Sequence, residues 1–88
     1  MEFDWDSANV AHLALHGITP EECAEAYSNG PMAIEIQERK RERRLLCLGQ
    51  TDAGRLLTFV ITDREDKIRF VTAHPMHAKQ REIYRGEE

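Results

Sequence analysis

The spacing of apolar positions changes twice along the chain. From Ser7 to Tyr27 it follows a helical period, and from Met32 to His74 it follows a strand period. After Pro75 it is helical again. In the first helical stretch Val10, Leu13 and Ala14 form the apolar side. Asn9, His12 and His16 fall on a polar stripe roughly opposite. Asp6 or Ser7 can cap this helix, which is predicted to run to about His16 and to end where Gly17 takes the left-handed conformation. Thr19-Pro20-Glu21-Glu22 starts a second helix: Thr19 caps, Pro20 presets the first turn and Glu22 completes a capping box. Cys23, Ala24, Ala26 and Tyr27 give it a small apolar face, and Asn29-Gly30-Pro31 closes it. Ahead of both, Phe3 and Trp5 alternate with Asp4 and Asp6 as an extended lead-in.

Four strands are predicted next, over Met32–Gln37, Arg44–Gln50, Leu56–Thr62 and a last one from Lys67. The basic run 39–44 is expected as the loop after the first of these. Thr51-Asp52-Ala53-Gly54 reads as a hairpin turn, with Gly54 at positive φ. Leu56–Thr62 is the most apolar run and the expected central strand. Pro75 stops the last strand and suits the first turn of a closing helix to Tyr84, with Met76 and Ile83 on its apolar side. Short connections make the strands an antiparallel meander. The expected fold is α+β: two N-terminal helices, a four-stranded antiparallel sheet and a C-terminal helix, in one domain spanning 1–88.

Composition narrows the class. Hydrophobic residues make up 41% and charged residues 32% of the 88 positions, as in a soluble globular protein. No apolar run nears the roughly 20 residues of a membrane helix. The acidic start Glu2-Phe3-Asp4 is unlike a signal peptide, so no membrane contact and a cytoplasmic location are expected. Cys23 and Cys47 lack CxxC spacing and read as buried free thiols. The net charge of −4 opposes nucleic-acid binding, but its distribution is uneven. Acidic residues crowd the first 38 positions and the tail, whereas Arg39-Lys40-Arg41-Glu42-Arg43-Arg44 is basic. That run is either a basic patch or a solvated loop with ordinary charge pairs.

The chemistry-bearing residues concentrate around His74, where a strand end meets a helix start. His77, Arg81 and Tyr84 share a polar flank of that helix, whose N-terminus also favours anions. Imidazole, guanidinium and phenol groups at such a junction suit a phosphodiester. His12 and His16, four apart, could chelate a metal, but the local sequence supplies no third ligand; no metal or other cofactor is expected. The stretch Met32–Gln37, with alternating acid and apolar residues, reads as an exposed sheet edge that a partner strand or helix could cover. Trp5, Phe59 and Phe70 read as core residues.

An ordered set of short motifs resembles one family. Trp5-Asp6, Asn9-Val10-Ala11-His12 and His16-Gly17-Ile18-Thr19-Pro20-Glu21-Glu22 are similar to the N-terminal signature of the BrnT-type toxins. Gly49-Gln50-Thr51, Gly54-Arg55-Leu56-Leu57, Lys67-Ile68-Arg69, Thr72-Ala73 and Arg81-Glu82 with Tyr84 continue it over nearly the whole chain. The resemblance implies a RelE-like fold and a metal-independent ribonuclease toxin acting on RNA. It also implies a BrnA-like antitoxin with a ribbon–helix–helix domain, through which alone operator DNA would be bound. The family usually carries arginine where this chain has His74, and a closing helix richer in arginine. On this reading His74, Arg81 and Arg55 are the candidate catalytic residues: His74 as acid or base, the two arginines holding the phosphate. Arg69, Tyr84, His77 and Lys67 are the candidate substrate-binding residues. The competing reading is a protein-interaction module that has lost the ribonuclease activity.

Overall fold

A computed structural model describes residues 2–86. The element order is α1 (Ser7–Ala14), α2 (Pro20–Ser28), β1 (Met32–Arg39), β2 (Glu42–Gln50), β3 (Leu56–Arg64), β4 (Lys67–Pro75) and α3 (Ala78–Arg85). The four strands form one antiparallel sheet in the order β1-β2-β3-β4. The α+β arrangement is therefore the one expected from the pattern, and the differences are local.

Both N-terminal helices begin with reciprocal capping bonds. Asp6 accepts from the Asn9 amide at 2.8 Å while Asn9 accepts from the Asp6 amide at 2.9 Å. Thr19 and Glu22 do the same for α2, both at 3.1 Å. The last turn of α1 closes as a Schellman motif. The Ile18 amide donates to Leu13 O and the Gly17 amide to Ala14 O, with Gly17 at φ 68°, and Leu13 and Ile18 are buried together. Asn9 departs from the polar stripe assigned to it. It is buried, and its amide donates to Phe70 O at 3.1 Å. The inward positions of α1 are thus Asn9 and Leu13, while Ala14 is exposed. A polar side chain with two fixed partners can be enclosed at little cost.

One sheet face carries the main core. Leu13, Ile18, Cys23 and Ala26 pack there on Leu57, Phe59 and Phe70, with Trp5 stacked on Phe70 at 5.4 Å between ring centres. α1 lies against β4 and α2 against β2. Gly49 allows the second approach, because a Cβ there would meet Ala26 O and Phe59 Cε1, each at 3.0 Å. Leu48, Thr58 and Val60 are buried on the other face, which α3 caps: Gln80 accepts from Thr58 Oγ1 at 2.7 Å.

The basic run is not a loop. β1 and β2 continue through it to a two-residue tip, Lys40-Arg41, at φ 48° and 69°, the positive-φ pair of a tight hairpin. Arg43 pairs with Glu38 across the two strands, and Arg44 pairs with Glu42 along β2 itself. Pro75 also differs from expectation. It is the last residue of β4, opposite Leu57, and the Met76 amide then donates to Leu56 O. That bond keeps the chain extended, so α3 starts only after His77.

The two borders of the sheet are unlike. Along β4 the lead-in pairs with Ile68 through Asp4 N and Glu2 O, and α1 covers the next stretch. Beyond β1 the sheet ends, and Ile36 is 63% exposed. No helix among the described residues is long and apolar enough to cross a membrane.

Candidate functional site

A β-bulge decides where His74 points. Ile68 and Phe70 face the core in normal alternation, and the register then shifts between Val60 and Ile61 on the partner strand. The extra residue, Val71, lets Ala73 stand opposite Phe59 and enter the core. His74 is thereby turned to the other side of the strand, half-buried. Unbroken alternation would have put it under α1 with Phe70. No residue in the sequence marks this bulge.

Turned outward, His74 meets the other histidines. Ring centres lie 6.0 Å apart for His12–His16, 6.3 Å for His16–His74 and 6.1 Å for His74–His77. All four histidines of the chain thus form one row from the outer side of α1, across the end of β4, to the cap of α3. The approach of His12 and His16 to His74 is a contact between residues some sixty apart, which helical spacing alone cannot reveal. Among the described residues no group of three His, Cys, Asp or Glu side chains is placed to hold a metal ion.

The members are held by different contacts, and ring bonds are made by His74 and His12. His74 Nδ1 lies 2.8 Å from Pro75 O. A carbonyl can only accept, so Nδ1 carries the hydrogen, and in the neutral ring Nε2 keeps its lone pair. His12 Nε2 is 3.2 Å from Thr72 Oγ1. The amide of His77 donates to Gln80 Oε1 at 3.1 Å. Arg81 sends Nη1 to Met76 O at 2.7 Å, which holds its guanidinium beside the turn between His74 and α3. Around this turn lie ring nitrogens, a guanidinium and a helix N-terminus, all suited to a phosphate. Residues 5–80 match the family model of BrnT, the ribonuclease toxin of type II toxin–antitoxin systems.

The chain belongs to the BrnT toxin family. No curated protein matches it. In this BrnT chain, His74, His77 and Arg81 of the residues singled out in the sequence come together at the end of β4. Arg55 borders the same row but is engaged: Nη1 donates to Gly17 O at 2.8 Å and lies 3.0 Å from Glu22 Oε2, and Nη2 is 3.5 Å from His16 O. It clamps the turn that carries His16. Glu22 is drawn in two directions. Burial would raise its pKa, but the Arg55 and Thr19 hydrogen bonds and the Arg55 charge outweigh that and leave the carboxyl below its ordinary value. Arg69 and Lys67 lie further back on β4, opposite Thr62 and Arg64. Arg69 is held by Asp6 at 2.9 Å and Asp4 at 3.6 Å, and Lys67 faces Glu2 at 3.9 Å. Asp6 is held below its usual pKa chiefly by the Asn9 backbone bond, with Arg69 adding to it against some desolvation. Tyr84 sits half-buried on α3, two turns beyond His77.

Two surface cavities lie at the opposite end of the sheet. One, of about 550 Å³, is lined by Arg39, Lys40, Glu42 and Arg44; the other, of about 290 Å³, is lined by Tyr27, Leu45, Ile61 and Ile68 among others. Neither touches the histidine row, which is an open surface strip.

Proposed function

We propose that the histidine row is the cleavage site of a metal-independent endoribonuclease that works in the cytoplasm and is neutralised by a BrnA-like ribbon–helix–helix antitoxin. The observation that carries this reading is the convergence of four imidazoles beside Arg81 and the start of α3. His74, with Nε2 free, takes the proton of the RNA 2′-hydroxyl. The 2′-oxygen attacks phosphorus, and a protonated neighbour, His16 or His77, gives its proton to the departing 5′-oxygen. The products are a 2′,3′-cyclic phosphate and a 5′-hydroxyl. Arg81 and the α3 amides stabilise the charge that gathers on the phosphorane. Arg55 serves this reaction by holding His16 in place.

The test is cleavage of a labelled RNA oligonucleotide by purified protein in the presence of a chelator. His74→Ala is expected to lower the rate by about 10²–10⁴-fold with thermal stability retained. Unchanged cleavage by His74→Ala would remove the assignment. A second reading, a toxin-like module that binds its partner without cutting RNA, has one observation in its favour: Arg55, Arg69 and Lys67 are all paired with carboxylates. Its signature is an intact antitoxin complex with no cleavage by the wild-type chain.

A further inference from the structure

We propose that the outer border of β1 is where the antitoxin docks, by adding an extended segment rich in acidic and apolar residues as a fifth strand. This rests on the toxin–antitoxin reading above and goes beyond it by naming the surface and the chemistry of what binds. Three features converge. First, β1 runs for eight residues, Met32–Arg39, with a sheet neighbour on one side only. Its outward backbone N–H and C=O groups are therefore open to a strand. Second, the apolar side chains beside that border are uncovered, with Ile36 63% and Met32 40% exposed. A register shift between Ala33 and Glu35 puts Met32 and Ile36 on opposite faces of the sheet, so an added segment finds one apolar side chain to match on each face. Third, the border ends at a cationic tip. Among the described residues Arg39, Lys40 and Arg41 have no carboxylate partner, in contrast to Arg43 and Arg44. The groove lined by Arg39, Lys40, Glu42 and Arg44 opens next to them, placed for an acidic side chain of the incoming segment.

A second copy of this chain fits the site less well. It would bring Glu35 and Glu38 to the border but leave no acidic run for the tip, whereas a segment with acids at one end satisfies both halves.

The experiment uses the full chain and a BrnA-like ribbon–helix–helix antitoxin, purified as a complex. Amide hydrogen exchange of the wild-type chain is expected to slow on complex formation at alternate residues of the regular part of β1, Glu35 to Arg39, as strand pairing requires. Ile36→Asp, and separately Lys40→Glu with Arg41→Glu, are each expected to weaken binding at least about tenfold. All three positions are exposed, so melting temperature should hold. β1 amides that exchange equally fast in the complex, or variants that bind within about twofold of wild type, overturn the proposal while leaving the toxin–antitoxin reading intact. Slowed β1 exchange in the concentrated chain alone assigns the border to a second copy and also overturns it. Absence of any complex with the wild-type chain refutes the reading itself, and this surface with it.

Discussion

Arg55 offers the sharpest separation between a clamp and a free phosphate ligand. Its guanidinium bridges the start of β3 to the α1–α2 turn through Gly17 O at 2.8 Å and Glu22 at 3.0 Å. The side chains of Arg55 and Glu22 are 35% and 25% exposed, so solvent screens the ion pair to about 1 kcal/mol. The bond to the Gly17 carbonyl adds about 1 kcal/mol. Arg55→Ala is therefore expected to cost about 2 kcal/mol, read as a fall in Tm of about 8–16 °C for a domain of this size. Arg55→Lys keeps one partner and should lose about half as much. The pH dependence follows from Glu22, whose pKa is lowered from 4.5 in the folded chain. A carboxyl stabilised in its charged form contributes above its unfolded value and stops contributing as pH falls through the folded one. The gap between wild type and Arg55→Ala should then be full near neutrality and shrink below about pH 4.5. Urea unfolding at several pH values measures it, and Glu22→Gln completes a double-mutant cycle with an expected coupling of about 1 kcal/mol. If Arg55→Ala unfolds within about 0.5 kcal/mol of wild type at neutral pH, the guanidinium is not a clamp, and its place is on the substrate.

Two further expectations concern the core. Gly49→Ala would set a Cβ at 3.0 Å from Ala26 O and from Phe59 Cε1, so a loss of about 1–3 kcal/mol is expected by thermal or urea unfolding; an unchanged midpoint would mean that α2 slides away freely. Burial, with the Glu22 charge adding, pushes the Cys23 thiol up to about 12 from 9.0. Since the unfolded thiol ionises first, stability due to this group is complete below about pH 9 and declines as pH rises toward 12. In native protein near pH 8 iodoacetamide should leave Cys23 unmodified by mass spectrometry until urea is added, and native labelling as fast as that of a free thiol would contradict its burial.

The elements that local chemistry specifies were legible from the residues alone. Thr19-Pro20-Glu21-Glu22 and Asp6 name their helix starts, Gly17 and Gly54 their left-handed turns, and the continuous apolar run Leu56–Thr62 its buried strand. What the sequence concealed depends on contacts made at a distance. Lys40-Arg41 lacks the Asn-Gly signal of a tight hairpin, yet the turn forms where β1 and β2 stay in register to Arg39 and Glu42, with Glu38 facing Arg43 across the strands. Asn9 looks like a surface residue until Phe70 O is there to receive its amide. The site was half visible. His77 and Arg81 follow from their four-residue spacing at the start of the closing helix just after His74, but the bulge at Val71 and the arrival of His12 and His16 are products of packing. The engagement of Arg55, Arg69 and Lys67 by acidic residues was equally hidden, since each partner is remote in sequence or on the lead-in.

The unlike margins of the sheet have a consequence for assembly. With Glu2, Asp4 and Asn9 occupying main-chain groups of Ile68 and Phe70, that stretch of the β4 flank offers no template, whereas β1 has a neighbour on one side only. A strand that joins the opposite flank brings an outer margin of its own. A sheet covered on one side in this way cannot be lengthened from both margins by head-to-tail pairing of its own copies along that stretch.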